Sequence, residues 1–347
     1  TIGLLNTLAI MEMIDDVTVP FQEPELPHFN TGDITEDQYL WDRVWEGFKW
    51  RGLDKKPNIQ EYKDRIDYEM SVITEMKYSG YFLITWDWIN FARNNNIEIG
   101  DGRGSAGGSL INFILGITNV DPIVYGLIFE RYLNPSRIGL PDTDSDCSDQ
   151  QAVIEYLESK YGKEQVSRVV NFSYITPKVA IKDVGDVLGI PYKTRDEVSK
   201  LFPSDNFDDD YNNNKSRLEK LSQENDEYKK WFEVARAISG KIRQTSIHAC
   251  AVGIVNSKVS DYMPIHLGEN GEKIIQVNKK ILEKIGIVKM DILGLKTLKV
   301  VGDTLKLIGK DSEYLDINNS DFVSDPKTYD LIASGNTEGV FQIESYG

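Results

Sequence analysis

The segment 141–146, Pro-Asp-Thr-Asp-Ser-Asp, places a carboxylate at every second position. In a β-strand, side chains alternate between the two faces, so Asp142, Asp144 and Asp146 share one face, with neighbours ~6.6 Å apart. Three like charges on one face repel one another, and folding alone gives no reason to place them there. The binding of two divalent cations would give such a reason, because two metals can stabilise both the attacking and the leaving oxygen of an in-line phosphoryl displacement. The segment therefore predicts a metal site for phosphoryl transfer.

A calcium loop is the rival interpretation of the same segment. The three aspartates fit the first three ligand positions of such a loop, but Cys147 stands where it requires glycine and Val153 where it requires glutamate. A second acidic run at 208–210 lies in the polar stretch 206–215, which predicts a loop. Carboxylates at a solvated loop tip are typical of an ordinary protein surface and not of a metal site. The pattern at 141–146 therefore favours the metal pair.

Composition predicts a soluble protein of two or three domains. The chain has 347 residues, of which 40% are hydrophobic, and a formal charge of −16. That charge argues against a protein that wraps nucleic acid with a basic face. No apolar run reaches the ~18 residues that a membrane-spanning helix needs, so we expect no membrane partner. The two cysteines, Cys147 and Cys250, have no metal-ligand spacing, which fits a reduced, cytoplasmic protein.

Both ends of the chain suggest a piece of a longer polypeptide. Thr1 replaces an initiator methionine, and Gly347 ends a stretch that reads as ordered structure. We therefore expect further domains outside this sequence.

A glycine-rich segment at 100–109 reads as a turn between a strand and a helix. It follows a strand candidate at 97–99 and precedes helical periodicity from Leu110 to Ile117. Such a turn lets backbone N–H groups approach phosphate oxygens, and Arg103 adds a cation. The segment matches neither the Walker pattern nor the dinucleotide-binding pattern. On this segment alone, a tight structural turn is an equal interpretation.

The segment 285–294 predicts an apolar strand that is interrupted by Lys289 and Asp291. A charge inside such a strand is costly unless it is paired or bound to a metal. The two residues are two positions apart and therefore share a face. The pattern leaves two interpretations open, a carboxylate of the metal site beside a cation, or a plain Lys–Asp pair at a strand end.

The remaining chain is predicted to be mostly helical. Apolar spacing and capping residues indicate helices at 4–14, 35–48, 62–76, 81–93, 127–133, 150–161, 177–188, 295–308 and 326–333. Strand patterns occur at 166–172 and 250–255, and Asn270-Gly271 predicts a hairpin between 263–267 and 273–277.

Several motifs follow one another in a family-specific order. They lie at 102–106 (Gly-Arg-Gly-Ser-Ala), 129–135 (Phe-Glu-Arg-Tyr-Leu-Asn-Pro), 141–146, 181–185 (Ile-Lys-Asp-Val-Gly), 248–249 (His-Ala), 289–295 (Lys-Met-Asp-Ile-Leu-Gly-Leu) and 339–345 (Gly-Val-Phe-Gln-Ile-Glu-Ser). Together they closely resemble the alpha subunit of bacterial DNA polymerase III, the C family of replicative polymerases. The resemblance spans the chain from about residue 62 to its end.

The resemblance implies an α+β fold and a division into domains. Residues 1–173 correspond to the first part of a palm, with amino-terminal helices, and residues 248–296 to its second part. The palm of the family is similar to the polymerase-beta nucleotidyltransferase fold, a mixed sheet with flanking helices. Residues 174–247 correspond to an inserted helical thumb, and residues 297–347 to the start of the fingers.

The resemblance also implies an activity, template-directed DNA synthesis by two-metal nucleotidyl transfer from dNTP to a primer 3′-hydroxyl. Two Mg²⁺ ions are the implied cofactors, and primer–template DNA, dNTP and other replisome subunits are the implied partners. The catalytic and metal-binding carboxylates correspond to Asp142, Asp144 and Asp291, whereas Asp146 matches a motif position without a catalytic role. The nucleotide-binding positions correspond to Gly104, Ser105, Arg131 and Lys289.

Departures from the family pattern keep alternatives open. Thr143, Ser145 and Cys147 replace large apolar residues behind the carboxylates, Gln150 and Gln151 replace an arginine-rich helix start, and Asp101 replaces a proline. Because this sequence holds only the start of the fingers, one alternative is a catalytically incomplete fragment that only binds metal, nucleotide or primer–template. Another is a template-independent nucleotidyltransferase with the same type of palm.

Overall fold

The computed structural model describes residues 2–14, 21–22, 24–136, 141–310, 312–318 and 323–345. Thr1 and Gly347, on which the expectation of a longer polypeptide rests, lie outside the described residues. The chain divides into two compact units, Thr1–Val169 with His248–Gly347, and Val170–Ile247.

Six strands of the described chain form one mixed sheet in the order β1-β6-β3-β2-β5-β4. The strands are β1 (Asp144–Cys147), β2 (Val166–Tyr174), β3 (Ile242–Ile254), β4 (Ile265–Leu267), β5 (Lys273–Ile275) and β6 (Val288–Gly294). β1 is parallel to β6, and β3 is antiparallel to β6. β2 is parallel to β5, and β5 pairs antiparallel with β4 across the predicted Asn270-Gly271 turn. The chain is therefore a mixed α/β protein.

Strand β1 is shorter than the sequence pattern predicts, because it begins at Asp144. The backbone N–H of Thr143 donates to the hydroxyl of Tyr81 at 3.2 Å, so this residue is held by a side chain and not by a neighbouring strand. Thr143, Ser145 and Cys147 are almost fully buried, with 4%, 4% and 0% of their surface exposed. The positions where large apolar residues were expected thus carry small side chains that pack inside the protein.

The first unit has its main core between helices and the β1–β6–β3 part of the sheet. Its helices include α1 (Ile2–Glu12), α2 (Glu36–Trp50), α3 (Ile59–Glu75), α4 (Ser79–Asn94), α5 (Leu110–Ile114) and α6 (Gln150–Tyr161). Buried side chains of α2, α3, α4 and α6 form one cluster with Val252 of β3 and Ile292 of β6. Thr35 caps α2 through a reciprocal capping box with Gln38, which confirms the predicted helix start.

The second unit is helical apart from the ends of β2 and β3. It contains α7 (Pro177–Val187), α8 (Tyr192–Ser199), α9 (Phe207–Asn213), α10 (Lys215–Glu224) and α11 (Asp226–Ile238). The buried indole of Trp231 donates to the carbonyl of Ile181 at 2.7 Å and joins α11 to α7. The predicted loop at 206–215 is wrong, because Asn206 caps α9 and the acidic run occupies its first turn. Acidic side chains there are favoured by the helix dipole.

The other helices that the structure describes in the first unit follow β3 in the chain. They are α12 (Val259–Tyr262), α13 (Lys279–Leu282), α14 (Lys296–Leu307) and α15 (Pro326–Ala333), with 3₁₀ turns at Leu53–Lys55, Gly104–Gly108, Phe129–Arg131 and Ser312–Leu315. The helix expected at 127–133 is therefore a single 3₁₀ turn, and the strand expected at 97–99 is one bridge between Ile99 and Cys147. None of the helices in the described ranges combines the length and apolarity that crossing a membrane requires.

Candidate active site

The parallel pairing of β1 with β6 brings three carboxylates together. Asp144 on β1 lies directly opposite Asp291 on β6, and Asp142 lies two residues before Asp144. One carboxylate oxygen of each of the three residues lies within 4.8 Å of those of the other two. Asp291 is buried, Asp144 half-buried and Asp142 exposed, so the cluster opens toward solvent on one side. Residues distant in the sequence thus form one acidic site.

Lys289 bridges two of these carboxylates. Its ammonium lies 3.0 Å from Asp142 Oδ1 and 2.7 Å from Asp291 Oδ2, and its side chain is only 14% exposed. The Lys–Asp pair that the strand pattern suggested is therefore present, and it lies inside the acidic cluster. Among the residues that the structure describes, no hydrogen bond or ion pair engages the carboxylate of Asp144. One ammonium thus faces three carboxylates.

The pKa shifts follow from burial and from this excess of negative charge. Burial raises the pKa of Asp144, and the nearby charges of Asp142 and Asp291 raise it further. Burial also raises the pKa of Asp291 in spite of the contact with Lys289. For Asp142, burial acts in the same direction, but Lys289 outweighs it and lowers the pKa. The carboxylates therefore repel one another, and this excess of negative charge favours the binding of a further cation.

The residues at this site fit a divalent metal of the magnesium type. All three potential ligands are carboxylate oxygens, which are the hard donors that Mg²⁺ prefers. One oxygen of the unpartnered Asp144 carboxylate lies within 4.8 Å of oxygens of Asp142 and Asp291. An oxygen-only donor set with an unpartnered carboxylate can hold such a cation.

Asp146 does not belong to the cluster, although the period-two pattern put it on the same face. Its Oδ2 accepts from Nε of Arg103 at 2.7 Å, and its Oδ1 is buried with no hydrogen-bond partner in the described chain. The cation that Arg103 was expected to offer to a phosphate is therefore paired with a carboxylate. β1 ends one residue later, and Asp146 is paired with Arg103 instead of joining the cluster.

The glycine-rich turn is attached directly to β1. The backbone N–H of Gly100 donates to the carbonyl of Asp146 at 2.9 Å, and the segment continues into the 3₁₀ turn Gly104–Gly108. Gly104 has φ +55°, and a Cβ added there meets open space. The half-buried hydroxyl of Ser105 makes no hydrogen bond with any described residue. The turn therefore presents a hydroxyl with unused hydrogen-bonding capacity.

Arg131 ends the 3₁₀ turn Phe129–Arg131 and is exposed. Its neighbour Tyr132 is hydrogen-bonded to Thr143 through their hydroxyls at 2.7 Å, and Thr143 lies between Asp142 and Asp144. The segment of Arg131 is thereby tied to the acidic segment. No hydrogen bond or ion pair in the described part of the chain joins Gly104, Ser105 or Arg131 to the carboxylates.

The sequence reasoning assigned no role at the site to three further residues, Gln150, His248 and Cys250. The side-chain amide of Gln150 donates to the carbonyls of Ala249 at 2.7 Å and Ile292 at 2.5 Å. His248 Nδ1 accepts from the N–H groups of Cys250 and Ala251, at 3.3 and 3.1 Å, and burial lowers the pKa of this histidine. Burial, with Asp291 nearby, raises the pKa of Cys250 to about 11. The bonds of Gln150 join two strands, which spacing within one segment does not encode, whereas those of His248 lie within β3.

Comparisons with known proteins agree with the resemblance noted in the motifs. A family model described as the bacterial DNA polymerase III alpha NTPase domain matches residues 38–294. A second, described as the bacterial DNA polymerase III alpha subunit finger domain, matches residues 297–347.

Curated relatives named DNA polymerase III subunit alpha align with nearly the whole chain. The protein of Aquifex aeolicus is 37% identical over 377 residues, that of Bacillus subtilis 38% over 337 residues, and that of Escherichia coli K12 36% over 367 residues. These alignments cover 99%, 95% and 99% of this chain, but 32%, 30% and 31% of the relatives. The chain thus spans about a third of their length. It belongs to the family of bacterial DNA polymerase III alpha subunits.

Proposed function

We propose that this chain is the catalytic part of a template-directed DNA polymerase that transfers a nucleotide from dNTP to a primer 3′-hydroxyl. The observation that carries the proposal is the Asp144–Asp291 register, which assembles a carboxylate cluster inside the region that the family model matches. Primer–template DNA and dNTP are the proposed substrates. Other replisome subunits bind through parts of the protein outside this sequence, and the enzyme acts in the cytoplasm.

In this proposal the domains keep the assignments that the motifs suggested. Residues 1–173 and 248–296 form a palm of the polymerase-beta type, residues 174–247 the thumb and residues 297–347 the start of the fingers. The β1–β6–β3 sheet with carboxylates on two adjacent strands is consistent with such a palm. A compact helical unit between two segments of the first unit is consistent with an inserted thumb.

Asp142, Asp144 and Asp291 are the proposed ligands of two Mg²⁺ ions. Bound Mg²⁺ lowers the pKa of the primer 3′-hydroxyl and offsets the charge of the triphosphate. Lys289 holds Asp142 and Asp291 together before substrate binds, and its ammonium then faces a phosphate of the nucleotide. Gly104, Ser105 and Arg131 bind the triphosphate through N–H groups, a hydroxyl and a guanidinium, which orients the α-phosphate for attack.

Primer extension by the full-length subunit that carries this sequence tests the proposal. We expect Asp142→Asn and Asp291→Asn each to reduce the extension rate ~1,000-fold or more, because metal-assisted charge stabilisation supplies several kcal/mol of the barrier reduction. Asp54→Asn is the matched control, since Asp54 is exposed in the same unit and makes no side-chain contact with described residues. Full activity of either active-site variant would contradict the assignment of that residue as a catalytic metal ligand.

A catalytically incomplete fragment is the second candidate function, and the observation that favours it is the coverage of about a third of the relatives' length. In that case the isolated chain binds dNTP in a Mg²⁺-dependent manner without extending a primer. Extension by the isolated chain excludes this candidate. Extension of a single strand without template would point instead to a template-independent nucleotidyltransferase.

A further inference from the structure

A buried ion pair on α3 faces the glycine-rich turn. Nε of Arg65 lies 2.7 Å from Oε1 of Glu69, one helical turn away, and the Glu69 side chain has no exposed surface. Buried ion pairs stabilise proteins little, because desolvation offsets their attraction. The further contacts of these two side chains therefore indicate what the pair does.

Glu69 forms hydrogen bonds with the start of α5, the helix that follows the turn. Its carboxylate accepts from the hydroxyl of Ser109 at 2.8 Å, from the N–H of Leu110 at 2.9 Å and from the N–H of Ile111 at 3.1 Å. The first N–H groups of a helix have no partner inside the helix. Glu69 thus binds α5 at its first turn and fixes the point where the 3₁₀ turn Gly104–Gly108 ends.

Arg65 contacts both segments that carry the proposed triphosphate ligands. Its Nη2 donates to the carbonyl of Gly108 at 2.8 Å and to that of Leu127 at 3.3 Å. Gly108 closes the turn that contains Gly104, and Leu127 lies two residues before the turn Phe129–Arg131. A single planar guanidinium can span two carbonyls in this way because its donors have a fixed geometry.

The two segments also touch each other at the place where Arg65 binds. A Cβ added to Gly108 would lie 2.6 Å from the carbonyl oxygen of Ile128, so the backbones are in close contact there. Tyr68, also on α3, donates to Oε1 of Glu130 at 2.7 Å. Side chains of α3 therefore hold the turn and the Arg131 segment in one arrangement.

We propose that Arg65 and Glu69 are positioning residues that set the distance between the glycine-rich turn and Arg131, so that both meet the phosphates of one nucleotide. The inference rests on the proposed function. It concerns residues that touch neither metal nor substrate. The pair acts by pre-organising the triphosphate site, which lowers the entropic cost of binding dNTP.

Steady-state primer extension by the full-length subunit tests the inference with Glu69→Gln. The variant replaces the charged acceptor by an amide, whose NH₂ group cannot accept hydrogen bonds from the N–H groups of α5. We therefore expect the KM for dNTP to rise ~10- to 100-fold. The kcat should fall less, and the Kd for primer–template without dNTP should not change. Glu75→Gln is the matched control, because Glu75 is exposed at the end of the same helix and makes no described side-chain contact.

If Glu69→Gln fails to fold, Arg65→Lys tests whether the pair positions the triphosphate ligands. Lysine keeps the charge beside Glu69 but cannot span both carbonyls, so the KM for dNTP should rise in the folded variant. Wild-type KM in a folded Glu69→Gln or Arg65→Lys variant overturns the inference, while the proposed function stands as long as the wild type extends the primer. Absence of extension by the wild type overturns both.

Discussion

Asp144 and Asp291 lie directly opposite each other on the parallel strands β1 and β6. Neither carboxylate has a cation to itself, because Lys289 contacts Asp291 and Asp142 but not Asp144. Like charges in direct register destabilise a sheet. The two facing carboxylates therefore destabilise the folded protein until a cation binds between them. Stability measurements with and without a metal ion can detect this effect.

Asp144→Asn should stabilise the metal-free protein. Removing one of two facing charges relieves a repulsion of up to ~1 kcal/mol, so the melting temperature without divalent ions should rise. With Mg²⁺ present, the order should reverse, because the variant loses a ligand and gains less from binding. Differential scanning calorimetry with and without Mg²⁺ measures both effects, and Asp54→Asn serves as control. A variant that melts below wild type without metal contradicts the prediction.

Lys289→Met should destabilise the metal-free protein and increase its response to Mg²⁺. The change leaves Asp291 buried without its cation, which costs several kcal/mol for a fully buried pair and, at this partly open site, ~1–3 kcal/mol. Urea unfolding with and without Mg²⁺ gives both values. Lys280→Met is the control, because Lys280 is exposed and its ammonium makes no described contact. Equal stability of the two variants would disprove the role of the bridge.

Glycine-to-alanine changes in the turn should differ in their cost. Gly108→Ala should destabilise by ~1–3 kcal/mol through overpacking, since its Cβ would lie 2.6 Å from the carbonyl of Ile128. Gly104→Ala should cost ~1–2 kcal/mol because of its φ of +55°. Gly107→Ala, whose Cβ would meet its nearest atoms at 3.9 Å, should change little. Chemical denaturation of the three variants gives the order, and a Gly107 variant as unstable as Gly108→Ala would contradict it.

Gln150→Ala should weaken the junction of β3 and β6. The amide of Gln150 donates to one carbonyl on each strand, at Ala249 and Ile292, and the loss of both bonds should cost ~1–3 kcal/mol. Gln151→Ala is the matched control, since among the described residues the Gln151 side chain contacts only the exposed Glu155 on its own helix. The free energy of unfolding from urea titration should fall for the first variant alone. A similar loss in both would show that the contact at the junction is unimportant.

Asp196 should titrate at unusually low pH. Lys200 and Lys182 both contact its carboxylate, at 2.8 and 2.9 Å, and lower its pKa to about 2. Because the folded pKa lies below the unfolded one, the contacts stabilise the protein above the unfolded pKa, and this contribution is lost as pH falls through about 2. Carboxyl-carbon NMR titration should show this midpoint, and Lys200→Met should raise it. A wild-type midpoint at the ordinary aspartate value would refute the prediction.

Local sequence signals predicted the elements that local interactions determine. Thr35 and Asp325 mark the starts of α2 and α15, because a side-chain cap acts within one helical turn. The Asn270-Gly271 turn marks the β4–β5 hairpin for the same reason. The polar composition of the stretch 206–215 predicts a loop, but capping by Asn206 and burial of Phe207 make it helical.

The sequence by itself determined that the chain carries the ordered motifs of its family and an alternating run of carboxylates at 142–146. Only the tertiary structure decided which carboxylates meet. It pairs Asp144 with Asp291, turns Asp146 to Arg103, and brings Glu69 to the start of α5. The physical reason is that side-chain periodicity is a property of one segment, whereas register between strands and the partners of buried charges are set by packing between segments distant in the chain.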